Sequence, residues 1–158
     1  MTPMMRQILF VCTGNICRSP MAEALLRAAL PKGAGWHVTS AGTNTVDDFG
    51  ASAHAVSVMA EKGVDLTPHR SQSLSRELVS RSDIIVTMTE GHTRQVGERF
   101  PDSRDRIHLM RSFDPDAPPQ SDVCDPFGGT LEDYRNCLAH LRKAIPGLLK
   151  CLEDRIGE

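Results

Sequence analysis

The hydrophobic pattern switches repeatedly between two periods along the chain. Gln7–Cys12 (QILFVC) is a nearly continuous apolar run, as expected of a strand buried on both faces. Ser19–Leu30 (SPMAEALLRAAL) follows at once, with Met21, Ala24, Leu25 and Ala28 on one helical face. Ser19 is expected to cap that helix, Pro20 to occupy its first position, and Pro31 and Gly33 to end it. Trp36–Gly42 (WHVTSAG) reads as a second strand. Ser52–Gly63 reads as a helix with Val56, Met59 and Ala60 inward and Gly63 as its stop. Ser73–Ser82 predicts a short helix, Asp83–Met88 (DIIVTM) a third strand, Thr89–Phe100 a helix ending before Pro101, and Arg106–Met110 a fourth short strand. Asp114–Gly129, rich in Pro, Asp and Gly, reads as a long loop, and loops of that length are often functional. Thr130–Ile156 closes the pattern as a long amphipathic helix, capped by Thr130 and expected to kink at Pro146. Strands alternating with helices predict an α/β fold with a parallel sheet. With no repeat, linker or low-complexity tract, residues 1–158 are expected to form one domain.

Composition narrows the function classes. The 158 residues are 40% hydrophobic and 24% charged, an ordinary globular balance, and the formal net charge of −2 argues against a general nucleic-acid or membrane-surface binder. No apolar run has transmembrane length, and the N-terminus shows no signal-peptide cleavage pattern, so a cytoplasmic location without membrane insertion is expected. Five cysteines, an odd number, argue against a disulfide framework. Cys137 and Cys151 are expected to be small apolar residues on the last helix.

The stretch between the first strand and the first helix carries the chemistry. Ligands of open α/β sheets bind beyond the carboxyl ends of the strands, which is where Cys12–Ser19 falls. Orphan N–H groups and the helix dipole favour an anion there. Gly14 is expected to allow a tight turn and Asn15 a left-handed backbone, so that successive N–H groups point inward as a nest. Arg18 adds a planar fork for two phosphate oxygens. Cys12 would lie at the floor, where the same field favours a thiolate nucleophile. A zinc site lacks a second ligand pair, a nucleotide P-loop lacks its Gly-Lys-Ser/Thr ending, and C-x-x-C is absent.

Val11–Leu25 (VCTGNICRSPMAEAL), with Cys-x5-Arg-Ser near the N-terminus, resembles the signature of the low-molecular-weight protein tyrosine phosphatases. Asp125–Gly129 (DPFGG) resembles that family's aspartate loop, and the segments around Ser40 (TSAGT) and His69 (TPHRSQSL) match it too. The resemblance implies a four-stranded parallel sheet flanked by helices, a phosphorylated protein as substrate, and a cysteinyl-phosphate intermediate without metal or cofactor. It implies Cys12 as nucleophile. Arg18 and the backbone N–H groups of Thr13, Gly14, Asn15, Ile16, Cys17 and Arg18 would hold phosphate, and Ser19 would donate to the Cys12 thiolate. Asn15, Ser40 and His69 would fix the loop.

A phenolate leaves poorly, so a carboxylic acid must protonate it. Asp114-Pro115 and Asp125-Pro126 are both available, and the residues alone do not choose; the resemblance selects Asp125, with Phe127 walling the entrance. Asp116 and Asp122 read as solvated loop charges. Eukaryotic members carry two aromatics after the Asp-Pro and often one where Val46 stands; this chain has Phe127, Gly128 and Gly129. It is closer to bacterial members, some of which act on phosphoarginine and carry threonine where Ile16 stands. The expected substrate is therefore phosphotyrosine, with phosphoarginine the alternative. Arsenate reductase, which needs a cysteine pair absent from Thr87–Phe100, and a non-catalytic oxyanion-binding module are more remote. Cys17, near a thiolate, is expected to form a protective disulfide with Cys12 under peroxide.

Overall fold

The computed structural model describes residues 5–156. Residues 1–4, part of the segment read for an export signal, lie outside that range, as do both ends of the expected 1–158 domain. Four strands, β1 (Arg6–Cys12), β2 (Trp36–Gly42), β3 (Ile84–Thr87) and β4 (Ile107–Leu109), form one parallel sheet in the order β2-β1-β3-β4. Five helices accompany them: α1 (Arg18–Ala29), α2 (Ala53–Glu61), α3 (Arg76–Arg81), α4 (Glu90–Arg99) and α5 (Leu131–Ile156). Among the described residues, no helix is long and apolar enough to cross a membrane.

The apolar run of β1 is continuous because both faces are covered. Ile8 and Phe10 join Met21, Leu26, Leu141 and Leu148, under α1 and α5. Leu9 and Val11 join Val79, Val96 and Phe100, under α3 and α4. The strand order reverses direction at β1, so its carboxyl end opens into the crevice where such sheets bind ligands.

The inward faces of two helices differ from expectation. In α1 the buried residues are Arg18, Ser19, Pro20, Met21, Ala22, Leu25 and Leu26, and Ala28 is exposed. In α2 they are Ala55, Val58 and Met59, and Ala60 is exposed. In each case a small alanine was assigned inward where a larger neighbour fills the core. Cys17, not Ser19, holds the N-cap position of α1 and makes no side-chain capping bond; the Ser19 hydroxyl is engaged elsewhere. Gly63, at φ +75°, ends α2 as expected, and Thr130 accepts from the Asp133 N–H at the start of α5. That last helix runs unbroken through Pro146. Cys137 is buried on it, its thiol pushed up to about 12 by burial, and Cys151 is half-buried.

Gly42 joins the sheet to the Cys12–Ser19 loop. It pairs with Cys12 in register and bonds Gln72 and Leu74 through its N–H and carbonyl. A Cβ there would sit 2.5 Å from the Thr13 carbonyl oxygen and 2.9 Å from Thr45 Cγ2. Backbone cannot yield as a flexible side chain can. Gly42→Ala is therefore expected to destabilise by about 1–3 kcal/mol and lower Tm by several degrees in thermal unfolding.

Candidate active site

The loop from Cys12 to Arg18 is held open from behind by Asn15. This residue is fully buried and has φ 56°, the left-handed region an asparagine tolerates. Its backbone N–H points at Cys12 Sγ (3.3 Å) and its carbonyl accepts from His69 Nε2 (2.7 Å), which fixes His69 as protonated on Nε2. Its side-chain carbonyl accepts the Gln72 N–H (2.9 Å). Its amide donates to Ser19 Oγ (2.8 Å) and Ser40 Oγ (2.9 Å). These bonds set the direction of the next ones. Ser19 receives one amide proton, so its own is free for Cys12 Sγ at 2.9 Å. Ser40 passes its proton to the Glu23 carboxylate, which Arg27 also meets. Ser40 and His69 both bond Asn15, one at its side-chain amide and the other at its main-chain carbonyl. Gly14 differs: its φ is outside the left-handed region and a Cβ there would meet only Ile16 Cγ1 at 3.6 Å, so the sharp backbone turn belongs to Asn15 alone.

In front of this scaffold, Cys12, Thr13, Gly14, Ile16, Cys17, Arg18, Asp125 and Phe127 line an open cavity of about 170 Å³. The N–H groups of Gly14, Ile16 and Cys17 find no acceptor among the described residues, which leaves them for an anion. Arg18 is almost wholly buried; one guanidinium nitrogen donates to the Val123 carbonyl (3.0 Å) and another lies 3.6 Å from Asp125. The Asp125 side chain is about half exposed, and Phe127 stands out at the rim. Of the two Asp-Pro pairs, only Asp125 lines the cavity; Asp114 is buried elsewhere and accepts the Asp116 N–H. Asp122 is exposed, as expected of a solvated loop charge, and also accepts the Glu90 N–H at the start of α4 (2.8 Å), which anchors the long loop.

Two contacts had no warning in the sequence. Cys17 Sγ meets Ser52 Oγ (3.4 Å) and the Tyr134 hydroxyl (3.3 Å), and burial pushes its thiol up. His92, on the first turn of α4, places Nε2 2.9 Å from Thr13 Oγ1 and buries Nδ1 without a partner among the described residues. Burial first, and the Arg18 charge second, lower its pKa from 6.5 to about 4. Nothing near either residue in the chain distinguishes it; only tertiary placement does.

The fold therefore binds fewer protons at His92 than the unfolded chain does between pH 6.5 and pH 4. Stability is expected to fall as pH drops through this window and to be insensitive to His92 above it. His92→Gln should flatten that part of a Tm-against-pH profile; parallel profiles for the two proteins would show that the imidazole titrates normally.

A profile of the family described as low molecular weight phosphotyrosine protein phosphatase matches residues 7–156. A protein-arginine-phosphatase of Geobacillus stearothermophilus is 40% identical over 148 residues, covering 93% of this chain and 96% of the relative. A probable low molecular weight protein-tyrosine-phosphatase, EpsP, of Ralstonia solanacearum is 37% identical over 142 residues, covering 90% and 92%. Among solved structures, the YwlE arginine phosphatase from Geobacillus stearothermophilus superposes with a TM-score of 0.86 at 39% identity, covering 95% of this chain and 94% of the other. Loop, sheet order and sequence lead to one conclusion: the chain is a phosphatase of the low-molecular-weight phosphotyrosine protein phosphatase family.

Proposed function

We propose that this phosphatase removes phosphate from phosphoarginine in proteins, with Cys12 as nucleophile, Arg18 as phosphate ligand and Asp125 as general acid and base. The observation that carries the mechanism is the cavity itself: a cysteine sulfur at its floor, unpaired N–H groups around it, and Arg18 and Asp125 on one wall. Thr13, Gly14, Asn15, Ile16 and Cys17 bind through their backbone, Ser19 supports the sulfur, and Phe127 flanks the substrate.

In the first step Cys12 Sγ attacks phosphorus as the bond from phosphorus to the leaving nitrogen or oxygen breaks. The Asp125 carboxyl gives that atom its proton, and the loop N–H groups and Arg18 hold the equatorial oxygens. In the second, water attacks the cysteinyl phosphate and Asp125 takes its proton. The sulfur–phosphorus bond breaks, releasing phosphate and the Cys12 thiolate. A half-exposed carboxylate beside a buried guanidinium suits both duties, since it can exchange its proton with solvent. The Ser19 hydroxyl, its proton free for sulfur, stabilises the thiolate as attacker and as leaving group.

Support for arginine comes from the arginine phosphatases of Geobacillus stearothermophilus and Bacillus subtilis, at 40% and 36% identity, and from Thr13, a hydroxyl-bearing residue of the cavity lining. Ile16 favours a second reading, phosphotyrosine: its branched apolar chain lies on the same wall, suits a phenyl ring, and offers no acceptor to a guanidinium. Measuring kcat/KM for matched phosphoarginine and phosphotyrosine peptides separates the two, and a clear preference for the tyrosine peptide would reverse the assignment.

Cys12→Ser should abolish turnover of para-nitrophenyl phosphate while inorganic phosphate still binds, because the loop and Arg18 remain. Residual turnover near that of the parent would remove Cys12 from the nucleophile role. Asp125→Ala should slow substrates with poor leaving groups by roughly 10²–10⁴-fold and spare good ones. Asp114→Ala, away from the cavity, should show no such dependence; if it does, the acid is misassigned.

A further inference from the structure

We infer that Thr13, oriented by His92, is the polar wall of the pocket and accepts a hydrogen bond from the guanidinium of phosphoarginine, making the pair a determinant of substrate choice. The inference rests on the phosphatase reading above and adds to it the groups that recognise the leaving side.

Thr13 is exposed and lines the cavity next to Cys12, and its Oγ1 lies 2.9 Å from His92 Nε2. His92 is only 4% exposed and is anchored by its own N–H to Thr89 Oγ1 at 3.1 Å. A threonine at a pocket rim would otherwise rotate freely; a bond to a buried, fixed ring holds its hydroxyl in one position. The ordering cost is then met on folding, not on binding.

The result does not depend on the tautomer. If Thr13 donates to Nε2, both of its lone pairs stay free. If it accepts from Nε2–H, one lone pair and its own proton stay free. In either case an acceptor remains on the hydroxyl. Among the cavity side chains, Ile16 and Phe127 offer no acceptor, and Asp125, 3.6 Å from Arg18, has its own part in proton transfer at the leaving atom. The Thr13 hydroxyl is an acceptor without such a duty for a guanidinium N–H that loses water on entering. A phenyl ring makes no such demand.

A packing role alone does not account for His92. Its Nδ1 is buried without a partner among the described residues, a cost that an apolar residue of similar size would avoid. Retaining an imidazole there makes sense if its other nitrogen has a task, and among the described residues that nitrogen bonds Thr13.

The test measures kcat/KM for matched phosphoarginine and phosphotyrosine peptides in the parent, Thr13→Val, Thr13→Ser, His92→Phe, His92→Gln and the Thr13→Val/His92→Phe double variant. Thr13→Val, isosteric and at the surface, should lower the arginine-to-tyrosine ratio about tenfold, the equivalent of about 1.4 kcal/mol. His92→Phe should lower it in the same direction, and the double variant should lose little more than Thr13→Val alone, since His92 acts through Thr13. Thr13→Ser and His92→Gln, which keep the hydroxyl and a polar partner, should restore most of the ratio. An unchanged ratio in Thr13→Val, with turnover intact, overturns the inference and leaves the phosphatase standing. Fully additive losses overturn the part assigned to His92. Failure of the parent to turn over either peptide or para-nitrophenyl phosphate would remove the phosphatase reading and this inference with it.

Discussion

The active-site loop depends on one residue that satisfies every polar group it owns. Asn15 sits in a left-handed conformation that costs most residues about 1–2 kcal/mol. It holds that conformation because its amide and its main chain are bonded to Gln72, Ser19, Ser40, His69 and Cys12. With its side chain saturated from behind, the loop turns neighbouring N–H groups outward, where no described residue accepts them. The electrostatic field needed by a transferring phosphoryl group is therefore built on folding and needs no rearrangement when substrate arrives. The same bonds impose a direction on the hydroxyl network: protons run from Asn15 through Ser19 to the sulfur on one side, and through Ser40 to Glu23 on the other.

The second half of the site comes from a loop with little regular structure, and its placement is held by anchors on either side of Val123. The Val123 N–H bonds the Met88 carbonyl at the end of β3, its carbonyl receives Arg18, and the preceding Asp122 accepts from the first residue of α4. Arg18 thus serves two ends. It fixes the backbone just ahead of Asp125 and keeps a free edge toward that carboxylate and the cavity. A lysine at this position would carry the charge without the planar geometry needed to meet both.

How much of this was legible in the sequence follows from how local each determinant is. The four strands and five helices show in the hydrophobic period, and the anion loop shows because Cys, Gly, Asn and Arg are packed into one short segment between a strand and a helix. What the sequence hides is which partner a side chain takes. Ser19 looks like a helix cap, yet its hydroxyl belongs to Cys12 and Asn15. Asp122 is exposed, as expected of a loop charge, but its bond to the Glu90 N–H, 32 positions away, has no local signal. His92 looks like an unremarked helical histidine, and its contact with Thr13 spans 79 positions. Gly14 was credited with a turn that Asn15 makes, because a glycine beside a turn is indistinguishable in sequence from the glycine that forms it.

In the proposed mechanism, phosphoryl chemistry and leaving-group recognition fall to different sides of this pocket. The Asn15 scaffold, the loop N–H groups and Arg18 would meet the phosphate, which is the same in every candidate substrate. Ile16, Thr13 and Phe127, which line the cavity, would meet what is attached to it. Ile16 supplies apolar surface suited to a ring, and the Thr13 hydroxyl supplies polarity on the same rim. Each amounts to about one hydrogen bond or one buried apolar contact, a range of about 1–3 kcal/mol. Differences of that size separate substrates by tens- to hundredfold and leave the fold and the cysteine chemistry untouched. That arrangement is consistent with a single family scaffold whose relatives, at nearly equal identity to this chain, bear the names of arginine and of tyrosine phosphatases.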